Sequence, residues 1–246
     1  MVGSIHPLTI FQRKAEKFFS DMGFLVVEGE EITSIHYNFD SLRIPAWHPA
    51  RDAQDTFYTK DGKVLRTHTS AMQVSSMEDR KPPVRIIIPG RVFRNEATDA
   101  SHEANFYQLE GFAIDKNITM TNLVGTLDKF VKQIFGKDVE TRYAPAYFPF
   151  VEPGLEMSIK FPKINKWLEM LGAGMIHVEV LKNMGVDPRI YQGFAFGMGA
   201  DRFSMIANQF SDIRLSYQGD LRFLKQFTLL NNPPAGGLPK AFNRVN

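Results

Sequence analysis

Apolar positions recur at helical spacing near the start of the chain, where PLTIFQRKAEKFFSDMGF puts Phe11, Ala15, Phe18 and Phe19 on one stripe. Thr9 is the predicted N-cap of this helix, and Gly23 stands where a C-cap would. FLVVEG then reads as a strand, and HPARDAQDTFY (48–58) as a loop or short helical turn. KVLRTHTS (63–70) alternates, with Arg66, His68 and Ser70 on one face. AMQVSSMEDRK predicts a helix whose Ser70 and Gln73 would form an S-x-x-Q capping box. Two β-forming runs, RIIIPGRVFRNE and NFYQLEGFAID, flank a polar loop at 97–105, and TNLVGTLDKFVKQIFG predicts an amphipathic helix closed by Gly136. YFPFVEP, SIKFP, KWLEMLGAGMI and GFAFG are further predicted strands; HVEVLKNMG and ADRFSMIANQF are predicted helices. Consecutive strands with short turns imply an α+β fold, one antiparallel sheet flanked by helices. It is expected to be a single domain over residues 1–230, with the Pro-, Gly- and Asn-rich stretch 231–246 a poorly ordered tail.

The first hairpin carries an unusual amount of charge. Side chains on a strand alternate, so Arg94 and Glu96 share a face, as do Phe106, Gln108, Glu110 and Phe112 on the returning strand. Pairing across the loop puts an arginine, two acids, a glutamine and aromatics on one surface. A solvated sheet face with ion pairs would account for them. Yet the flanks IIIPGRVF and LEGFAI look interior, and charges are rarely buried unless paired or used. The floor of a ligand cleft fits better, with the arginine for a phosphate or carboxylate and the acids for a cationic amine.

Composition narrows the class without choosing a function. A net charge of +2 and 43% hydrophobic residues describe an ordinary globular chain rather than a disordered one or a dominant nucleic-acid surface. The chain has no cysteine, which excludes disulfides and thiolate metal sites. The opening MVGSIHPLTIF lacks a basic segment followed by an apolar one, so the expected location is cytoplasmic. GMGADR at 197–202 lacks the third glycine of a dinucleotide fingerprint, and there is no P-loop. His36, His48 and His177 lack metal-ligand spacing and read as structural.

FRNE within GRVFRNEATDASHEANFYQLEG resembles motif 2 of class II aminoacyl-tRNA synthetases, in the form found in the α subunits of phenylalanyl-tRNA synthetases. GFAFGMGADRF (193–203) is similar to motif 3, and HPARDAQDTFY, RTHTSAMQ, YFPFVEPG and WLEMLGAGM resemble further parts of that family, in its order, over about residues 5–227. The resemblance implies the class II fold, an antiparallel sheet flanked by helices, and a ligase that activates L-phenylalanine with ATP and transfers it to tRNA(Phe). It gives Arg94 the α-phosphate and substrate carboxylate, and Glu96, His102 and Phe106 the nucleotide, with Phe106 stacked on adenine. Arg202 would lie on the γ-phosphate side. His68, Ser70, Gln73, Gln108 and Glu110 would surround the amino acid's charged groups, and Phe148, Phe150, Val151 and Ala195 would line the pocket for its ring. Glu152, with Glu169 second, would hold Mg²⁺.

Each role stands beside a plainer one: Gln73 would complete the capping box, Phe148 and Phe150 would be core, and Asp201 would favour a helix dipole. Glu30 stands where motif 1 usually has proline, and Asp201 where motif 3 usually has glutamate. The sequence opens at the catalytic domain without the family's usual coiled coil, so a reduced subunit, an excised domain or a paralogue is expected. The expected partners are a β subunit in a heterotetramer, with at best a homodimer alone. Two rival readings are a paralogue passing its adenylate to a non-tRNA acceptor and a non-catalytic regulatory subunit.

Overall fold

The computed structural model of the chain describes residues 5–52, 55–100, 103–161 and 167–227. His102 and the predicted tail 231–246 lie outside the described residues. Helix α1 (Pro7–Asp21) starts one turn earlier than predicted. His6, not Thr9, is the N-cap, its Nδ1 accepting from the Leu8 amide at 3.2 Å, and Pro7 follows at the first helical position, where its missing N–H costs nothing. Gly23 takes φ +83° just past the helix end, a conformation that glycine adopts without strain.

Strands β1 (Leu25–Val26), β2 (Ile32–Thr33) and β3 (Val64–Leu65) are short, with helix α2 (Ile35–Asn38) between the last two. The alternating run 63–70 is therefore a strand for two residues only; it continues as an irregular strap into a helical turn, Thr69–Ala71, and helix α3 (Met72–Ser75). The predicted Ser70–Gln73 capping box is absent: α3 has no side-chain cap, because both side chains bond elsewhere.

The predicted hairpin forms as β4 (Val84–Phe93) and β5 (Asn105–Asp115), and α4 (Met120–Phe135) follows, capped by a Thr119–Asn122 box. YFPFVEP is not one strand but the turn between β6 (Glu140–Phe148) and β7 (Val151–Lys160), and the first three residues of SIKFP are the end of β7. Then come β8 (Leu168–Ile176), α5 (Val178–Asn183), β9 (Gln192–Gly199), α6 (Ala200–Asn208) and α7 (Leu221–Leu224). Seven strands form the main sheet in the order β1-β4-β5-β9-β8-β7-β6; all neighbours are antiparallel except β1, which pairs parallel to β4. β2 and β3 form a separate small ladder.

Alternation sorts the sheet into two faces. Ile87, Leu109, Ala113, Phe194 and Phe196 belong to the core shared with α1, α4 and α6, where Phe19 stacks on Phe196 at 5.2 Å. Ile86, Ile88, Phe112, Ile114 and Ala195 belong to a second core with Phe39, Leu42 and Val180. Burial of this much apolar surface on both faces holds the central strands rigid. The second face carries the cleft.

Candidate active site

A cavity of about 460 Å³ opens on that second face. β5 contributes Gln108 and Glu110, β9 Ala195, the strap His68 and Ser70, and the β6–β7 turn Phe148, Phe150 and Val151, while Arg94 and Glu96 stand just past the end of β4. Ten residues from separate parts of the sequence thus meet around one space.

Glu110 lies on its floor, only 3% exposed. Ser70 Oγ donates to its Oε2 at 2.7 Å, and Gln73 Nε2 donates to its Oε1. These bonds explain the missing capping box: the tertiary partner, a buried carboxylate, is stronger than a local cap. Burial pushes the Glu110 carboxyl up to about 7, against the lowering effect of the Ser70 and Gln73 bonds. A ligand ammonium would replace the missing countercharge.

The strap is held along its length. Asn38 Nδ2 donates to Thr67 Oγ1 at 3.0 Å and Asn38 Oδ1 accepts from the Thr67 amide at 3.2 Å, while Gln108 Oε1 accepts from the Thr69 amide at 3.2 Å. His68 stacks on Phe150 at 6.2 Å between ring centroids. Both of its ring nitrogens are shielded from solvent and neither makes a well-formed hydrogen bond. Burial, and then the nearby Arg94 charge, lower its pKa to about 3, so the imidazole is neutral and one nitrogen is free to donate to a ligand.

Arg94 is oriented from the strap: its Nε donates to the Thr67 carbonyl at 3.1 Å, and its guanidinium lies 5.1 Å over the Phe106 ring. Glu96 sits 3.8 Å from Arg94 Nη1, with both side chains about a third exposed (37% and 36%), so the pair is loose and solvent-screened. Arg202 is exposed in the first turn of α6, and Gly199, just before that helix, pairs with Gln108. Its helix therefore begins at the end of the sheet where the motif 2 loop leaves. Its neighbour Asp201 does more than favour a dipole. It is buried, accepting from the Tyr107 amide at 2.5 Å and from Tyr217 Oη at 2.7 Å, which fixes β5 between Phe106 and Gln108. Burial raises its pKa.

Gln73 and Phe106 do not line the cavity; they support Glu110 and Arg94 from behind. His48 does line it and also caps the turn Pro49–Arg51 through Nδ1, at 3.2 Å from the Ala50 amide. His177 is the N-cap of α5, its Nδ1 accepting from the Glu179 amide at 3.1 Å. Asn38, Thr67 and Asp55 were not singled out in the sequence, since nothing in their local pattern signals contacts made across so much chain.

The two candidate magnesium ligands are not brought together. Glu152, next to Val151 at the cleft, is 3.2 Å from His177 Nε2, and Glu169 pairs with Ser158, six positions further along β7 (152 to 158). That is about 20 Å of strand. Glu169 instead bonds Glu156, whose pKa the shared hydrogen bond raises. Among the described residues no three acidic or histidine side chains gather around a common point. Asp55, Glu96 and Glu110 line the cavity, and Glu152 stands next to Val151 at its edge; a Mg²⁺ carried in on nucleotide phosphates would keep phosphate and water ligands and need only one or two such carboxylates.

The fold and the cleft together define an adenylate-forming synthetase core. Residues 1–227 match the family described as tRNA synthetases class II core domain (F), and the chain belongs to that family. It is 47% identical over 237 residues to the phenylalanine–tRNA ligase alpha subunit of Clostridium botulinum (strain Eklund 17B / Type B), covering 92% of this chain and 70% of that protein. The subunits of the same name from Alkaliphilus metalliredigens and Proteus mirabilis are 48% and 49% identical, each over 92% of this chain and over 70% and 68% of their own lengths.

Proposed function

We propose that the chain is the catalytic α subunit of a phenylalanine–tRNA ligase, activating L-phenylalanine with ATP and transferring it to tRNA(Phe). The observation that carries this reading is Glu110, a buried carboxylate with no countercharge paired to it among the described residues, at the floor of a cleft walled by Phe148 and Phe150. An α-ammonium fits the acid, and an apolar ring fits the wall. Ser70 and Gln73 hold the acid in place. His68 and Gln108 face the amino acid's polar end, and Ala195 and Val151 bound the ring.

In the first step a carboxylate oxygen of phenylalanine attacks the α-phosphorus of ATP, and the bond to pyrophosphate breaks. That carboxylate is already ionised at neutral pH, so no general base is needed. Arg94 is the group placed to offset charge on the α-phosphoryl oxygens, and Arg202 to meet the distal phosphates. Glu96 would meet the nucleotide's base, with Phe106 backing Arg94. In the second step a terminal ribose hydroxyl of the acceptor attacks the acyl carbon, and AMP leaves. Mg²⁺, with Glu152 as its protein contact, would supply further charge neutralisation to the phosphates.

The relatives are named as alpha subunits, which implies a β-type partner; the heterotetramer and a cytoplasmic location are part of the proposal. Among the described residues no helix is long and apolar enough to cross a membrane. No observation favours the paralogue or the regulatory subunit. ATP–pyrophosphate exchange over a panel of amino acids tests the reading, and phenylalanine alone is expected to support full exchange. Charging of tRNA at low salt is expected to be weak for the chain by itself and to rise when a β subunit is added. Full-rate charging without it would remove the partner from the proposal.

The ring pocket has its own test. Ala195 is buried on β9 between Phe112 of β5 and Gly174 of β8, and its methyl lies on the cleft face. Ala195→Gly is expected to raise kcat/KM for para-chlorophenylalanine relative to phenylalanine by about tenfold or more, the scale of one methyl in an apolar pocket. An unchanged ratio would take Ala195 out of the pocket.

A further inference from the structure

Arg66 alternates with His68 and Ser70 in the sequence, yet it does not line the cleft. It is 2% exposed, and among the described residues no carboxylate lies within ion-pair distance of it. Its partners are backbone carbonyls: Nε donates to Arg91 at 2.7 Å, and Nη1 to Gly29 at 3.0 Å and more weakly to Glu30 at 3.4 Å. The guanidinium rests on Gly90, where an added Cβ would stand 2.0 Å from Nη2. The Arg66 amide donates to the Glu31 carbonyl and its carbonyl accepts from the Phe93 amide, each at 2.9 Å. One residue therefore ties three chain segments at the point where the strap begins.

We propose that Arg66 is a positioning residue for the activation reaction: its guanidinium fixes the start of the strap so that the Thr67 carbonyl aims Arg94 and the Ser70 hydroxyl reaches Glu110. This rests on the function proposed above. Glu31, beyond ion-pair distance, only partly offsets the burial that lowers the Arg66 pKa, and an apolar side chain would fill the same space at less cost. What an apolar residue lacks is a planar fork that bonds carbonyls from two segments at once. Residues 66–70 need such a tie because β3 has ended and no sheet ladder holds them. The next residue, Thr67, already carries the carbonyl that holds Arg94 Nε, and Ser70 follows three residues later.

The test is Arg66→Lys, in the full chain with its β-type partner, assayed by phenylalanine-dependent exchange from pH 6 to 8.5 and normalised by active-site titration. Lysine keeps the charge but not the fork. Expected are a kcat lowered about tenfold to 100-fold by loss of preorganisation, and an upward shift of about 0.5 pH unit in the midpoint of the phenylalanine KM profile, because a looser Ser70 bond lowers the Glu110 pKa less. A merely structural arginine would reduce melting temperature and the number of active sites, leaving kcat per site and the midpoint alone; that result overturns the proposal. Should Arg66→Lys not fold, Gly90→Ala keeps the guanidinium and displaces it, and wild-type kcat and midpoint there would overturn the proposal equally. Absence of phenylalanine-dependent exchange in the wild type would be a failure of the functional reading instead.

Discussion

Arg94→Ala is expected to lower kcat for phenylalanine-dependent exchange by about 100-fold or more, the usual effect of removing a preorganised charge-stabilising donor. The side chain is held on two sides, by the Thr67 carbonyl at 3.1 Å and by the Phe106 ring at 5.1 Å, and the loose 3.8 Å pair of Nη1 with Glu96 can give way to a ligand. Burial lowers its pKa while Glu96 and Asp55 oppose that shift, and an arginine remains charged throughout. The loss should fall on kcat more than on KM for phenylalanine, since the charge it offsets grows in the transition state. Arg94→Lys should recover little, because one ammonium cannot both bond Thr67 and bridge two phosphoryl oxygens. The side chain is 37% exposed, so the melting temperature should barely move. An unchanged exchange rate in folded Arg94→Ala would remove this residue from the chemistry.

The parts of this molecule that were legible in its sequence are those where local pattern and tertiary environment agree. β4, β5, α4 and α6 fall close to their predicted places because their alternation or helical period matches the face each buries. The start of α1 was misplaced because threonine is the commoner cap, although Pro7 marked the first helical position and His6 the residue before it. FLVVEG predicts a longer strand than β1, and no pattern in it gives a pairing partner; a two-residue strand paired in parallel carries no periodicity of its own.

The strap is the instructive miss. Ser70 and Gln73 fit a capping box by spacing, but Glu110, some 40 residues away in sequence, claims both side chains. No local rule sees a carboxylate that only folding brings near. The roles of His68, Phe148 and Ala195 came through the family resemblance, while the hairpin's charge alone pointed to a cleft there. Asn38 has no signal in the sequence, and the alternation that sets Arg66 beside His68 and Ser70 does not show that its guanidinium turns away to the Arg91 carbonyl.

Glu110→Gln is expected to raise the KM for phenylalanine by about 100-fold at pH 8, since losing one partner of a desolvated charge pair typically costs 2–5 kcal/mol. Glu110 pairs across the sheet with Ile88 on β4 and Gly197 on β9, and its hydrogen bonds come from neutral Ser70 and Gln73. The other charged or titratable groups lining the same cleft are His48, Asp55, His68, Arg94, Glu96 and Tyr147. With a carboxyl pKa of about 7, the wild-type acid is mostly ionised at pH 8 and mostly protonated at pH 6. Its KM for phenylalanine should therefore rise about tenfold from pH 8 to pH 6, and that slope should vanish in Glu110→Gln. Stability of the ligand-free protein should run the other way. A carboxyl whose folded pKa is raised stabilises fully below its unfolded pKa, near 4.5, and that contribution is lost as pH rises through about 7. The difference corresponds to roughly 3 kcal/mol. Glu110→Gln should thus melt several degrees above wild type at pH 8 and level with it at pH 4. A substitution that weakens substrate binding while stabilising the empty protein marks a group kept for its ligand, whereas a purely structural glutamate would lose stability at both pH values and leave the KM profile unchanged.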